Sequence, residues 1–402
     1  MSKKKILVLT STFPRWKNDT NPSFVFDLSR RLVKSLEITV LAPHYARSKT
    51  LESMNGLKVY RFRYFISPLE KLAGSGGILP TLKQNRLNYF LVPFFFIGET
   101  IGAIRIILKD HPDIIHAHWI IPQGLIALFM KKLFNIPYVV TSHGGDIFAL
   151  QGKLLNSIKL SILNNAKTIT VVSFAIKNNV INLNHKLESK IKVIPMGVDS
   201  KLFNPNKYSK SLKNKYNPNG PILLFVGRLA EKKGVEYLIK AMPLIIKKDL
   251  KVKLLIVGSG TLENKLKELA NRLNLNKNII FIGPLPNSEL PKYYATADIF
   301  IGPSIKIKNG DTEGLPVTFL EASASGCVPI GTNAGGIAEI IKHGESGIIL
   351  KQKNHLQIAV SVTKLLEDNK LRLNFSKNAR IFVKDNFDWS IISKKYNNIY
   401  LK

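Results

Sequence analysis

Two carboxylates eight residues apart, Glu313 and Glu321, stand in the run Asp311-Thr312-Glu313-Gly314-Leu315-Pro316-Val317-Thr318-Phe319-Leu320-Glu321. Gly314 and Pro316 suit a turn that opens a helix, because glycine tolerates unusual dihedrals and the fixed φ of proline matches a first helical turn. This reading puts Glu313 at the helix mouth and Glu321 on the same helix. At about 1.5 Å per residue they lie about two turns apart, so both can address one elongated ligand from one side. A second group is Gly227-Arg228-Leu229-Ala230-Glu231-Lys232-Lys233-Gly234. Arg228 and Lys233, on a strand-to-helix turn with helix amides behind them, suit a diphosphate; Lys232 is expected at the surface. A third is formed by His116-Ala117-His118-Trp119 and Thr141-Ser142-His143-Gly144-Gly145-Asp146, each closing an apolar run. Neighbouring strand ends would bring His118 and His143 into one cleft, and His116 reads as a hydrogen-bonded structural histidine. Asp311-x-Glu313 also mimics an Asp-x-Asp metal motif. The basic turn already supplies the charge neutralisation a diphosphate needs, so no metal is expected.

Such groups need rigid elements behind them. Strand-like runs at 6–10, 37–42, 57–62, 114–116, 138–141, 168–172 and 191–194 alternate with helical patterns, and the alternation resumes at 222–226, 254–257, 279–282, 299–301, 328–330 and 348–350. Alternating βα units imply mostly parallel sheets. Between the two series lies an irregular passage rich in Lys, Asn and Pro, the expected interdomain linker. Gly74-Ser75-Gly76-Gly77 reads as a flexible loop. The stretch 87–108 is almost wholly apolar and approaches the length of a membrane span, yet holds Pro93, Glu99 and Arg105. It is expected to be a core helix, or one resting partly on a membrane.

With 402 residues, 45% of them hydrophobic, the chain can bury large cores in two or three domains. Its lone cysteine, Cys327, excludes an internal disulfide framework and a cysteine-based zinc site, and fits a reducing, cytoplasmic setting. The N-terminus begins basic and then apolar, but the apolar run is too short for a signal peptide and reads as a first strand. Lys and Arg number 59 against 27 Asp and Glu, a net charge of +32. That excess favours anionic partners. Because it is dispersed, with no basic block and no aromatic ladder, an anionic membrane face fits better than nucleic acid.

With the Arg228/Lys233 turn, Glu313-x7-Glu321 and the two histidine motifs in this order, the chain resembles family 4 of the glycosyltransferases, which are retaining, nucleotide-sugar-dependent enzymes. The resemblance spans nearly the whole chain. It implies the α/β GT-B fold: two Rossmann-like, doubly wound domains facing across a cleft. Residues 1–198 would form the acceptor-side domain, 199–220 the linker, 221–385 the nucleotide-sugar domain and 386–402 a helix crossing back to the first domain. By the same resemblance Arg228 and Lys233 bind the donor diphosphate, Glu321 the nucleotide ribose and Glu313 the donor sugar. The backbone of Gly314 and Leu315 lies along sugar and diphosphate, and His118 is catalytic near the reactive carbon. His143 and Asp146 lie on the acceptor side. No resident cofactor is implied; the partners are a nucleoside diphosphate sugar and a glycan or lipid-linked acceptor. The basic charge, not the resemblance, adds the expectation of a peripheral place on the inner leaflet of the cell membrane. Many relatives carry Gly-Gly where Asn21-Pro22-Ser23 stands here, so that diphosphate contact is not carried over. The rival readings are a GT-B-fold epimerase and a non-catalytic protein that binds polyanions or membrane.

Overall fold

The computed structural model describes residues 3–16, 19–73, 77–248 and 251–401; of the loop expected at 74–77, only Gly77 lies among them. The chain divides into two compact units, Met1–Pro195 with Ile392–Lys402, and Met196–Ile391.

In the first unit the strands are β1 (Lys5–Leu9), β2 (Glu37–Pro43), β3 (Leu51–Met54), β4 (Leu57–Phe62), β5 (Ile114–His118), β6 (Tyr138–Ser142), β7 (Thr168–Val171) and β8 (Ile191–Val193). They form one sheet in the order β3-β4-β2-β1-β5-β6-β7-β8. All pairings are parallel except that of the edge strand β3 with β4. Every residue of β5 and β6 is buried, which is why these segments are legible as continuous runs rather than alternating ones. β1 pairs with β2 on one side and β5 on the other, Ile6 facing both Ile38 and Ile114. The chain thus reverses its direction of winding between β1 and β5, and open α/β sheets leave a crevice at the carboxyl ends of two such strands. His118 is the last residue of β5.

The second unit repeats the plan with β9 (Ile222–Val226), β10 (Lys253–Val257), β11 (Ile279–Gly283), β12 (Ile299–Gly302), β13 (Val328–Thr332) and β14 (Ile348–Leu350). Their order is β11-β10-β9-β12-β13-β14, all parallel. Its reversal falls between β9 and β12. Gly227 and Arg228 follow the first of these strands, Pro303 and Ser304 the second.

Residues 199–220, expected as a linker, are folded and cluster with the second unit. They hold a short helix, Lys210–Tyr216, whose N-terminus is capped by the Ser209 hydroxyl. Asn217 Nδ2 then donates to the carbonyls of Pro221 (2.8 Å) and Lys251 (2.6 Å). These polar side chains look like loop chemistry in the sequence, yet serve as caps and ties. The C-terminal helix is Trp389–Leu401, and from Ile392 it belongs with the first unit. There Lys4 Nζ donates to the carbonyl of Tyr400 (3.0 Å), and the Ser35 hydroxyl to Asn397 Oδ1 (2.8 Å). The apolar stretch at 87–108 is a 3-10 turn, Arg86–Phe90, running into a 20-residue helix, Leu91–Asp110. Pro93 falls in its first turn, where the missing N–H costs nothing.

Candidate active site

Glu313 lies in a loop, not on a helix. The helix that follows is Val317–Ala324, with Pro316 as its N-cap at φ −76°, ψ 111°. Leu315, before a proline, is held away from helical backbone and Pro316 is itself extended, so the helix begins at Val317 and the two glutamates do not share its face. The sheet supplies the position instead. One Glu313 oxygen receives Lys233 Nζ at 2.9 Å and the Ser304 hydroxyl at 3.0 Å, so the loop is tied to the residues following both switch-point strands. Burial on its own would raise the pKa of Glu313, but Lys233 and Lys232 hold it down at about 2, and the group is a carboxylate at any physiological pH. Lys232, expected at the surface, is mostly buried; its Nζ meets Asp311 Oδ1 at 3.1 Å and donates to the Thr312 carbonyl at 3.3 Å. Behind the loop sits Gly335, at φ +57°. A Cβ there would stand 1.8 Å from the Glu313 carbonyl oxygen, so only glycine fits.

Arg228 is buried enough to lower its pKa, while Glu313 and Asp311 raise it again; it faces the same acidic loop as Lys233. Gly314 and Leu315 are buried between Glu313 and the helix N-terminus. The helix Val317–Ala324 lies close on the sheet because Gly302 has no Cβ: one would stand 2.4 Å from the ring of Phe319. Farther along, Glu321 Oε2 accepts from the hydroxyl of the fully buried Tyr294 at 2.9 Å. Arg228, Lys233 and Glu313 therefore converge, and Glu321 is held separately on the helix behind them. Ser304, Gly335 and Tyr294 were not singled out in the sequence. Pro303-Ser304 and Gly335-Gly336, each following an apolar run, were the available signal for the first two; Tyr294 carried none.

In the first unit the histidines do meet. His118 Nδ1 and His143 Nε2 are 2.9 Å apart, with the rings stacked at 5.2 Å between centroids. One must donate and the other accept, so the pair shares a single proton at that bond. Both are neutral: burial and neighbouring imidazoles hold His118 well below the ordinary histidine value, and His143 at about 3. His116 is fully engaged, its Nε2 with the Thr141 hydroxyl (2.7 Å) and its Nδ1 with the Tyr400 hydroxyl (2.6 Å). His118 is not. It is 0% exposed, and its Nε2 has no hydrogen-bond partner among the described residues. A buried orphan nitrogen costs roughly 1–3 kcal/mol, so this atom calls for an account that the fold alone does not supply. The next residue, Trp119, sits at φ 78°, ψ 139°, a region almost reserved for glycine, and such strain clusters at functional sites. Asp146 holds this turn: Oδ2 accepts from the Ile120 N–H (2.7 Å), and Oδ1 from the Ser142 hydroxyl (2.8 Å) and the Gly144 N–H (3.2 Å). With both oxygens so used and 2% exposure, Asp146 braces the His118 and His143 loops.

Two family models match the chain: "Glycosyltransferase Family 4" over residues 23–202 and "Glycosyl transferases group 1" over 208–382. An uncharacterised glycosyltransferase of Methanocaldococcus jannaschii is 30% identical, covering 87% of this chain and 85% of its own length. A GDP-mannose-dependent alpha-(1-6)-phosphatidylinositol monomannoside mannosyltransferase of Mycobacterium tuberculosis is 27% identical over 68% of this chain and 72% of its own. Among solved structures, Anabaena HepE in complex with UDP and glucose superposes with a TM-score of 0.76 at 18% identity, over 99% of each chain. The chain belongs to the family 4, group 1 glycosyltransferases and has their GT-B fold. It is a transferase enzyme.

Proposed function

We propose that the chain is a retaining glycosyltransferase that moves a sugar from a nucleoside diphosphate sugar to a glycan or lipid-linked acceptor on the cytoplasmic leaflet, in the making of cell-surface polysaccharide or glycolipid. The observation that carries this is the Lys233–Glu313–Ser304 cluster with Arg228 at the β9/β12 switch point. It combines the two things a nucleotide sugar asks of a site: cations for the diphosphate, and a fixed carboxylate to accept from sugar hydroxyls. When the bond from the anomeric carbon to the diphosphate breaks, negative charge builds on the leaving oxygen. Arg228, Lys233 and the amides at the N-terminus of Val317–Ala324 stabilise it without a resident cofactor or metal. The acceptor oxygen bonds to the anomeric carbon from the leaving-group face, and its proton passes to the departing diphosphate. Glu313 holds the sugar and Glu321 the ribose. Neutral His118 offers its spare nitrogen to the sugar near the reacting carbon, and His143 lines the acceptor side.

HepE is in complex with UDP and glucose, and the mycobacterial relative is named for GDP-mannose and phosphatidylinositol monomannoside; both support this reading. So does the net charge of +32, which suits work at an anionic membrane. The test is a panel of labelled UDP-, GDP- and ADP-sugars with glycan and lipid-linked acceptors. Transfer with retained anomeric configuration is expected for one donor. An altered sugar with no transfer would establish the epimerase reading instead, and neither product would return the chain to a binding role.

A further inference from the structure

We propose that the 3-10 turn Arg86–Phe90 and the outer face of the helix Leu91–Asp110 form a seat that lies in the interface of an anionic lipid bilayer, without crossing it. The proposal rests on the membrane-side reading above and gives it a surface. The helix is apolar on both faces. Its inner face, with Phe95, Glu99, Ala103, Ile106 and Ile107, is buried in the first unit. Its outer face is not: Leu87, Phe90, Phe94, Ile97 and Ile101 are exposed, Leu87 at 80% and Phe90 at 63%. Their spacing of three, four, three and four residues makes one continuous stripe. Over the most apolar window of Arg86–Asp110 the mean hydropathy is 1.9, yet only 33% of that window is buried. A helix of a soluble core would hide most of this surface, and isolated exposed residues would not line up. The stripe also continues off the helix. Phe65 packs on Phe90 and Phe94, with ring centroids at 6.0 and 5.4 Å, and exposed Ile66 and Leu69 follow it.

The charges around it choose the occupant. Between Asn55 and Lys109 the only acids are Glu70 and Glu99, which are 1% and 0% exposed. The bases Arg63, Lys71, Lys83 and Arg86 are exposed beside the apolar residues, and Arg105 and Lys109 lie toward the other end of the helix. An apolar stripe flanked by charge of one sign fits an anionic leaflet, where rings and aliphatic chains enter the interface and the bases meet headgroups. A second copy of the chain would bring like charges face to face. Crossing the bilayer would require the buried inner face, including Glu99, to leave the sheet.

The experiment is sedimentation of the full chain with vesicles of phosphatidylcholine alone or mixed with phosphatidylglycerol, at low salt. Strong binding is expected only with phosphatidylglycerol. A Leu87→Ser/Phe90→Ser variant should lose about tenfold or more of it, and Lys83→Glu/Arg86→Glu a similar factor, with unchanged melting temperatures. Nucleoside diphosphate binding and transfer to a soluble acceptor should not change in either variant, so the seat and the transferase reading fail separately. Vesicle binding unaltered in both variants would overturn the proposal. So would a solution dimer of the wild type that the apolar variant splits while vesicle binding stays the same.

Discussion

The two switch points solve the same problem in opposite ways. Both bury ionisable groups where a strand ends. In the second unit the groups stay charged and are matched, Glu313 against Lys233 with Arg228 and Lys232 close by. In the first unit they give up their charge: His118 and His143 are neutral, and one nitrogen is left without a partner among the described residues. The contrast follows from desolvation, which an ion avoids either by pairing or by losing its charge. On the function proposed above it also divides the labour. A paired, charged site has ions to exchange with a charged ligand such as a diphosphate. A neutral orphan nitrogen binds an uncharged group such as a sugar hydroxyl at little electrostatic cost.

The sharpest break of that division is a comparison of His118→Ala with Glu313→Ala. Each should cut transfer by about 10²–10⁴-fold, the range for a lost positioning or proton-transfer group. Calorimetry should find nucleoside diphosphate affinity nearly unchanged in His118→Ala, because Arg228 and Lys233 belong to the other unit. Wild-type turnover in His118→Ala would remove that residue from the site. A smaller effect is expected for Arg228→Ala: loss of one charge-assisted contact, about 1.5–3 kcal/mol, or roughly ten- to a hundredfold in the Kd of UDP, GDP or ADP. Here binding and turnover should fall together. Undiminished affinity for all three nucleotides would show that the charged switch point does not hold the diphosphate.

The subtlest test uses acid. His143 is neutral in the fold down to about pH 3, while the unfolded chain protonates it below its ordinary 6.5. Through that window the unfolded state binds more protons, so stability falls as the pH drops. Glu313 has the same sign but a lower window, from its ordinary 4.5 down to about 2. The first unit should therefore soften at milder acidity than the loop of the second. Glu99 runs the other way. Fully buried, its pKa is pushed up to about 8, so the stability it contributes is complete below 4.5 and lost as the pH rises through 8. Melting curves across pH for wild type and Glu99→Gln would check this, the variant losing the decline between pH 4.5 and 8. A Glu99→Gln variant, free of that opposing contribution, whose first unit keeps its full stability down to pH 4 would contradict the neutral-histidine account.

Much of this was legible in the residues. Fully buried parallel strands read as unbroken apolar runs, and thirteen of the strands expected from such runs appear at nearly their expected places. The short edge strand Leu51–Met54 did not stand out, because its residues alternate between exposed and half-buried. Arg228, Lys233 and Glu313 were legible as chemistry and do converge. The route by which they converge was not, because the Leu315-Pro316 step moves the start of the helix, and the tie through Ser304 depends on strand order rather than spacing. Likewise the run at 87–108 declared itself apolar, but only the fold shows which of its faces is spent on the core.

The hydrogen bond between His116 and Tyr400 joins residues 284 positions apart. A ribosome delivers them in that order. While the nascent chain emerges, the first unit can assemble its sheet, yet the buried imidazole lacks its hydroxyl until the whole second unit has been made, and the Lys4 ammonium likewise awaits the carbonyl of Tyr400. The last tie on His116 in β5 is therefore made only after the second unit has been synthesised. A first unit made without residues 392–401 would leave His116 Nδ1 without that hydroxyl.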